Sequence, residues 1–71
     1  MGLFQSKYAF VDINGGVLTL CCGSFLQRIN LHDVKELASP TITLYTGEVY
    51  TFVTVDNFND FIKQYEKYMA I

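Results

Sequence analysis

Charge is scarce in this chain. Only 17% of its 71 residues are Asp, Glu, Lys or Arg, while 51% are hydrophobic and 15% aromatic; an ordinary soluble domain carries about 25% charge. A domain this small has proportionally more surface to cover with polar groups. So little charge therefore implies apolar surface that ends in an interface. The basic residues, Lys7, Arg28, Lys35, Lys63 and Lys67, are scattered and the net charge is −2. They make no basic stripe of the kind a phosphate backbone demands, which argues against a nucleic-acid partner. Apolar runs are also short, far below the roughly 20 residues that span a bilayer, so no transmembrane segment is expected.

Reactive residues are as sparse as charge. Cys21 and Cys22 are adjacent and have no partner elsewhere; in a strand they point to opposite faces and cannot bridge each other. With no CxxC, no metal-type Cys/His spacing and no secretory leader pattern, a reducing, cytoplasmic setting is expected. His32 is the single histidine, and His32-Asp33 lacks a nucleophile and an oxyanion site at a usable spacing. A reactive thiolate at Cys21 or Cys22 would need a nearby cation or helix start, and a strand interior supplies neither. The acids fall in turns, caps and a wet helix face, with no calcium loop and no paired carboxylates. The expectation is a non-enzymatic chain with no cofactor and no metal.

What is present is β-pattern. Residues 8 to 22, YAFVDINGGVLTLCC, alternate around a turn at Asn14-Gly15-Gly16. Strict alternation puts Ala9, Val11 and Ile13 with Leu18, Leu20 and Cys22 on the core side. Tyr8, Phe10, Asp12, Val17, Thr19 and Cys21 fall on the other. After Gly23-Ser24, FLQRINL reads as a third strand. HDVKELASP fits one or two turns of helix ended at Ser39-Pro40; a continued edge strand is the alternative.

TITLYTGEVYTFVTV, residues 41 to 55, reads as a second hairpin. A turn at Thr46-Gly47 groups Ile42, Leu44, Val49, Thr51, Val53 and Val55 as a core face. The opposite face then holds Thr41, Thr43, Tyr45, Glu48, Tyr50, Phe52 and Thr54, a mix of rings and hydroxyls suited to contact. A three-residue loop would instead move Tyr50 and Phe52 to the side of Ile42 and Leu44. In DNFNDFIKQYEKYMAI, Phe58, Phe61, Ile62, Tyr65, Tyr68 and Met69 make one helical stripe, predicting a helix over about 57–69 capped by Asp56 or Asn57. The fold class is α+β in a single domain over 1–71. About five antiparallel strands, two hairpins plus a middle strand, are packed by one C-terminal amphipathic helix.

Two resemblances attach to residues 29–69. Ile29, Leu31 and Val34, then a glycine-turned hairpin and a closing helix, resemble the end of bacterial PH-like domains. Asn30, Val34, Pro40, Thr41 to Leu44, Gly47 and Tyr50 are similar in pattern to the small flagellar FlbD proteins. Those resemblances imply a motor-associated or lipid-linked role at a membrane. MGLFQSK also fits the N-myristoylation pattern at Gly2.

The reading that follows is a protein-interaction module whose contact face carries Tyr8, Phe10, Tyr45, Tyr50 and Phe52. The expected partner is a second copy, a larger host protein, or both. Compact, motif-free chains of this kind occur among phage and viral accessory factors, including host-defence inhibitors and small virion components. A peripheral membrane or lipid-linked module is the alternative.

Overall fold

A computed structural model describes residues 7–70. The elements are β1 (Lys7–Asn14), β2 (Val17–Cys22), β3 (Phe25–Asn30), a 3₁₀ turn (Leu31–Asp33), β4 (Val34–Ala38), β5 (Thr41–Leu44), β6 (Val49–Phe52) and α1 (Val55–Met69). The class is α+β, as the sequence implies, but the sheet is six-stranded with the order β3-β2-β1-β6-β5-β4. It is mixed rather than antiparallel, because β1 runs parallel to β6 where Lys7 meets Thr51 and Tyr8 meets Phe52. The added strand is β4, formed where one or two turns of helix were expected; only Leu31–Asp33 turns helically.

Connectivity dictates curvature. β3 and β4 lie at opposite edges of the sheet, yet three residues join them. Five gaps between flat strands would span about 24 Å, and three residues reach only about 10 Å. The sheet must curl until its two edges approach near Asn30 and Val34. The concave side then holds the core: Leu18, Leu20, Ile29, Leu31, Ile42, Leu44, Tyr50, Phe52, Phe58 and Phe61 are all buried.

Two local irregularities select which side chains enter that core. In β1 the register jumps between Phe10, opposite Leu20, and Asp12, opposite Thr19, leaving Val11 as the extra residue of a bulge. Strict alternation fails there. Tyr8 and Phe10 face the core ahead of the bulge, Ile13 faces it after, and Val11 is exposed. In the second hairpin, Ile42 pairs with Tyr50 and Thr43 with Val49, so the loop is Tyr45-Thr46-Gly47. The loop closes with Gly47 N–H donating to the Leu44 carbonyl and Leu44 N–H to that of Glu48. Gly47 sits at φ 97°, a conformation that favours glycine. Three loop residues put Tyr50 and Phe52 beside Ile42 and Leu44, while Val49, Val53 and Val55 are exposed.

α1 begins two residues earlier than the pattern indicates, and its cap is neither Asp56 nor Asn57. Thr54 has extended backbone and its hydroxyl accepts from the Asn57 N–H at 3.0 Å. The helix lays Phe58 and Phe61 onto Phe52 and Phe10, with ring centroids 5.1 to 6.0 Å apart. Asn57 has a different task. The pairing with β1 ends where the Val53 N–H donates to the Tyr8 carbonyl at 2.9 Å, and the Asn57 Oδ1 then accepts the Phe10 N–H at 2.7 Å.

Candidate functional site

The residues named for chemistry do not converge. His32 and Asp33 are both exposed, with Nε2 and Oδ1 3.6 Å apart. Cys22 pairs with Phe25 at the tip of the β2–β3 hairpin, whereas His32 follows the opposite end of β3. Six strand residues separate the two ends, about 20 Å. The Cys21 thiol donates to the Gly23 carbonyl at 3.3 Å. Among the described residues no three His, Cys, Asp or Glu side chains group as metal ligands, and no helix is long and apolar enough to cross a membrane. Gly2 lies outside the described residues.

The expected aromatic contact face is corrected by the two irregularities. Tyr50 and Phe52 are core residues, 7% and 1% exposed. Tyr8 stacks edge-on against Tyr50 and Phe10 tilts against Phe61, so both line the edge of that core rather than an open face. Burial, then the neighbouring Glu48 carboxylate and Tyr8, hold the Tyr50 phenol above its ordinary pKa. Tyr45 alone of the five is open to solvent, 71% exposed on its loop.

The outer face has a different composition, which the ladders spell out because directly paired residues share a face. One row is Ala9, Cys21 and Leu26, and the next is Asp12, Thr19 and Arg28. On the other half Lys7, Thr51, Thr41 and Ala38 form a row, and Val49, Thr43 and Glu36 another. Threonines at 19, 41, 43 and 51 share this face with small or apolar residues and with the charges of Lys7, Asp12, Arg28 and Glu36. The helix covers only the concave side, and nothing among the described residues lies over the outer one. Periodicity alone could have found Thr19, Thr41 and Thr43, and it did place them away from the core; Val49 and Thr51 were misplaced with the loop.

The most exposed large apolar side chains stand at three places on this frame. Phe25 and Leu26, 76% and 60% exposed, occupy the hairpin tip at the start of edge strand β3; Tyr45, 71%, opens the β5–β6 loop and Val49, 56%, follows it; Met69, 60%, ends α1. A shallow cleft of about 450 Å³ lies between the end of α1 and the β1–β2 turn, lined by Gly16, Leu31, His32, Tyr65 and Tyr68 among others. It has no buried polar group to orient a ligand: every buried side chain is apolar or aromatic, and no buried polar side-chain atom among the described residues is left without a partner.

Compared with protein-family models, with curated proteins and with solved structures, the chain finds no match.

Proposed function

We propose that the chain is a non-enzymatic protein-interaction module that acts by surface contact. The observation that carries this reading is the uncovered outer face of the sheet, where Thr19, Thr41, Thr43 and Thr51 stand with Val49, Ala9 and Leu26 and only Lys7, Asp12, Arg28 and Glu36 carry charge. Threonine and valine side chains are stiff, so ordering them at an interface costs little entropy. Exposed Tyr45 beside Val49 supplies an aromatic of the kind that anchors interface centres. The separation of His32 from the cysteines, about 20 Å along β3, supports contact rather than catalysis.

The partner is a second copy of the chain, a larger protein, or both. Light scattering and capture from native extract, run on the wild type and on a Thr43→Lys, Val49→Lys double variant, test the reading. Both positions are on the outer face, and Glu36 stands across from position 43 in the same row, offsetting the repulsion between the two lysines, so folding should survive. Loss of a captured partner in the double variant, with unchanged far-UV circular dichroism, is expected. A wild type that is monomeric and captures the same proteins as the double variant would overturn it.

A further inference from the structure

The two edges of the sheet are built differently. β4 carries exposed Lys35 and Glu36 and a register shift between Val34 and Glu36, devices that keep an edge from pairing with another strand. β3 has no register shift and a single exposed charge, Arg28: FLQRIN pairs with β2 in unbroken register from Asn30 to Phe25, holds no proline, and exposes Phe25 and Leu26. One edge is blunted and the other is left open.

Ladder geometry tells which groups the open edge offers. Cys22 and Phe25 flank the Gly23-Ser24 turn, and a two-residue hairpin closes on a hydrogen-bonded pair. At the other end Leu31 N–H donates to the Gly16 carbonyl at 2.9 Å in the same register. Since bonded and non-bonded pairs alternate in an antiparallel ladder, Phe25, Gln27 and Ile29 spend their backbone groups on β2. Those of Leu26 and Arg28 point to the free edge, where the Arg28 carbonyl accepts only a long 3.4 Å bond from the Gln27 Nε2 amide, which a partner N–H would replace.

We propose that two copies of the chain associate edge to edge through β3, antiparallel, about a two-fold axis at Gln27, making one continuous sheet. The inference rests on the reading of the chain as an interaction module and names its partner. Self-complementarity selects the register. With Gln27 on the axis, Leu26 and Arg28 of each copy exchange backbone bonds with Arg28 and Leu26 of the other. Phe25 then lies across from the other copy's Ile29, and the two Gln27 amides meet. Moving the axis by half a residue pair to Arg28 sets two guanidinium groups directly opposite, which is unfavourable. The corner where the chain leaves Asn30 for β4 also limits pairing at that end, whereas the Phe25 end is free. A second copy fits better than an unrelated strand because Phe25 meets Ile29 and Gln27 meets Gln27, while the aliphatic stem of Arg28 lies along Leu26.

The test uses the full chain. Light scattering should report a dimer, and Arg28→Pro, which removes an outward N–H without touching the β2 ladder, should halve the mass. In a Cys21→Ser, Cys22→Ser background, Gln27→Cys should crosslink to itself under mild oxidation, because non-hydrogen-bonded pairs bring side chains closest; Lys35→Cys on the β4 edge should not. The crosslink stands independently should Arg28→Pro fail to fold. A dimer that ignores Arg28→Pro and does not crosslink at Gln27, yet dissociates in the Thr43→Lys, Val49→Lys variant, overturns the edge proposal and leaves the interaction reading intact. A wild type monomeric at every concentration overturns it too, and a larger protein captured through the outer face would again leave that reading standing.

Discussion

Asn57 is the side chain whose role is least visible in the sequence. As a residue near a helix start it reads as a cap, yet its Oδ1 satisfies the N–H of Phe10, 47 positions away. The bond substitutes for a strand that stops short, fixing the helix start over the β1 bulge. Asn57→Ala should leave that N–H without a partner in a partly buried place and cost about 1–2 kcal/mol. Thr54→Ala, which removes the helix cap, should cost about 1 kcal/mol; urea unfolding midpoints compare the two. Tyr50 carries a pH dependence of definite sign. Its pKa is raised in the folded state by burial first, then by Glu48 and Tyr8. The folded state therefore holds the proton more tightly than the unfolded one, and that share of stability is complete below the ordinary tyrosine pKa of about 10. It is lost as pH rises through the higher folded value. Tyr50→Phe should flatten the fall in stability above about pH 10 relative to wild type, read from thermal melts along an alkaline series. An unchanged alkaline slope would mean the phenol is not protected.

At the scale of elements, the alternation of β2, β3 and β5 and the helical stripe of α1 were legible because those segments keep one period throughout. Misreadings arose where the period breaks. A single inserted residue at Val11 reverses the parity of half of β1, and one further loop residue reverses β6 against β5. Neither insertion announces itself in composition: Val11 is as apolar as its neighbours, and Thr46-Gly47 and Tyr45-Thr46-Gly47 are both acceptable turn sequences. Two of the five proposed contact rings, Tyr50 and Phe52, moved into the core on that one residue of loop length. β4 reads as one or two turns of helix with an edge strand as the alternative, and it is the edge strand that forms. Val34 and Leu37 sit at a spacing a helix could use, and only pairing with β5 makes the segment a strand. Gly47 is where the loop can be tested. At φ 97° with open space around it, Gly47→Ala should be strained by backbone alone and cost about 1–2 kcal/mol. Because the cost lies in the turn that sets the register, hydrogen exchange should show β5 and β6 loosening before β2 and β3.

At the scale of the whole molecule, the small size sets how much one side chain matters. A domain of this length is stable by about 4–10 kcal/mol, and its core is one cluster shared by both halves of the sheet and the helix. Phe61 is the point where they meet. It is fully buried, stacks on Phe52 at 5.4 Å, and contacts Phe10, Phe58 and Tyr65 at centroid distances of 5.7 to 6.0 Å. Phe10 belongs to the β1–β2–β3 meander and Phe52 to the β4–β5–β6 meander, which otherwise join through the short parallel contact of β1 with β6, the Tyr8–Tyr50 ring pair and the Leu31–Asp33 corner. Phe61→Ala opens a cavity under the helix at a cost of about 3–5 kcal/mol, a large part of the total. The expected outcome is loss of the helical and the sheet signals together in circular dichroism, at a much lower urea concentration than wild type and in one transition. Phe61→Leu, which fills most of the volume, should retain the fold with a smaller loss. Were the sheet signal to survive Phe61→Ala after the helix signal had gone, the two meanders would be holding each other without the helix. The curled sheet would then owe its shape to the β3–β4 corner and the β1–β6 pairing alone.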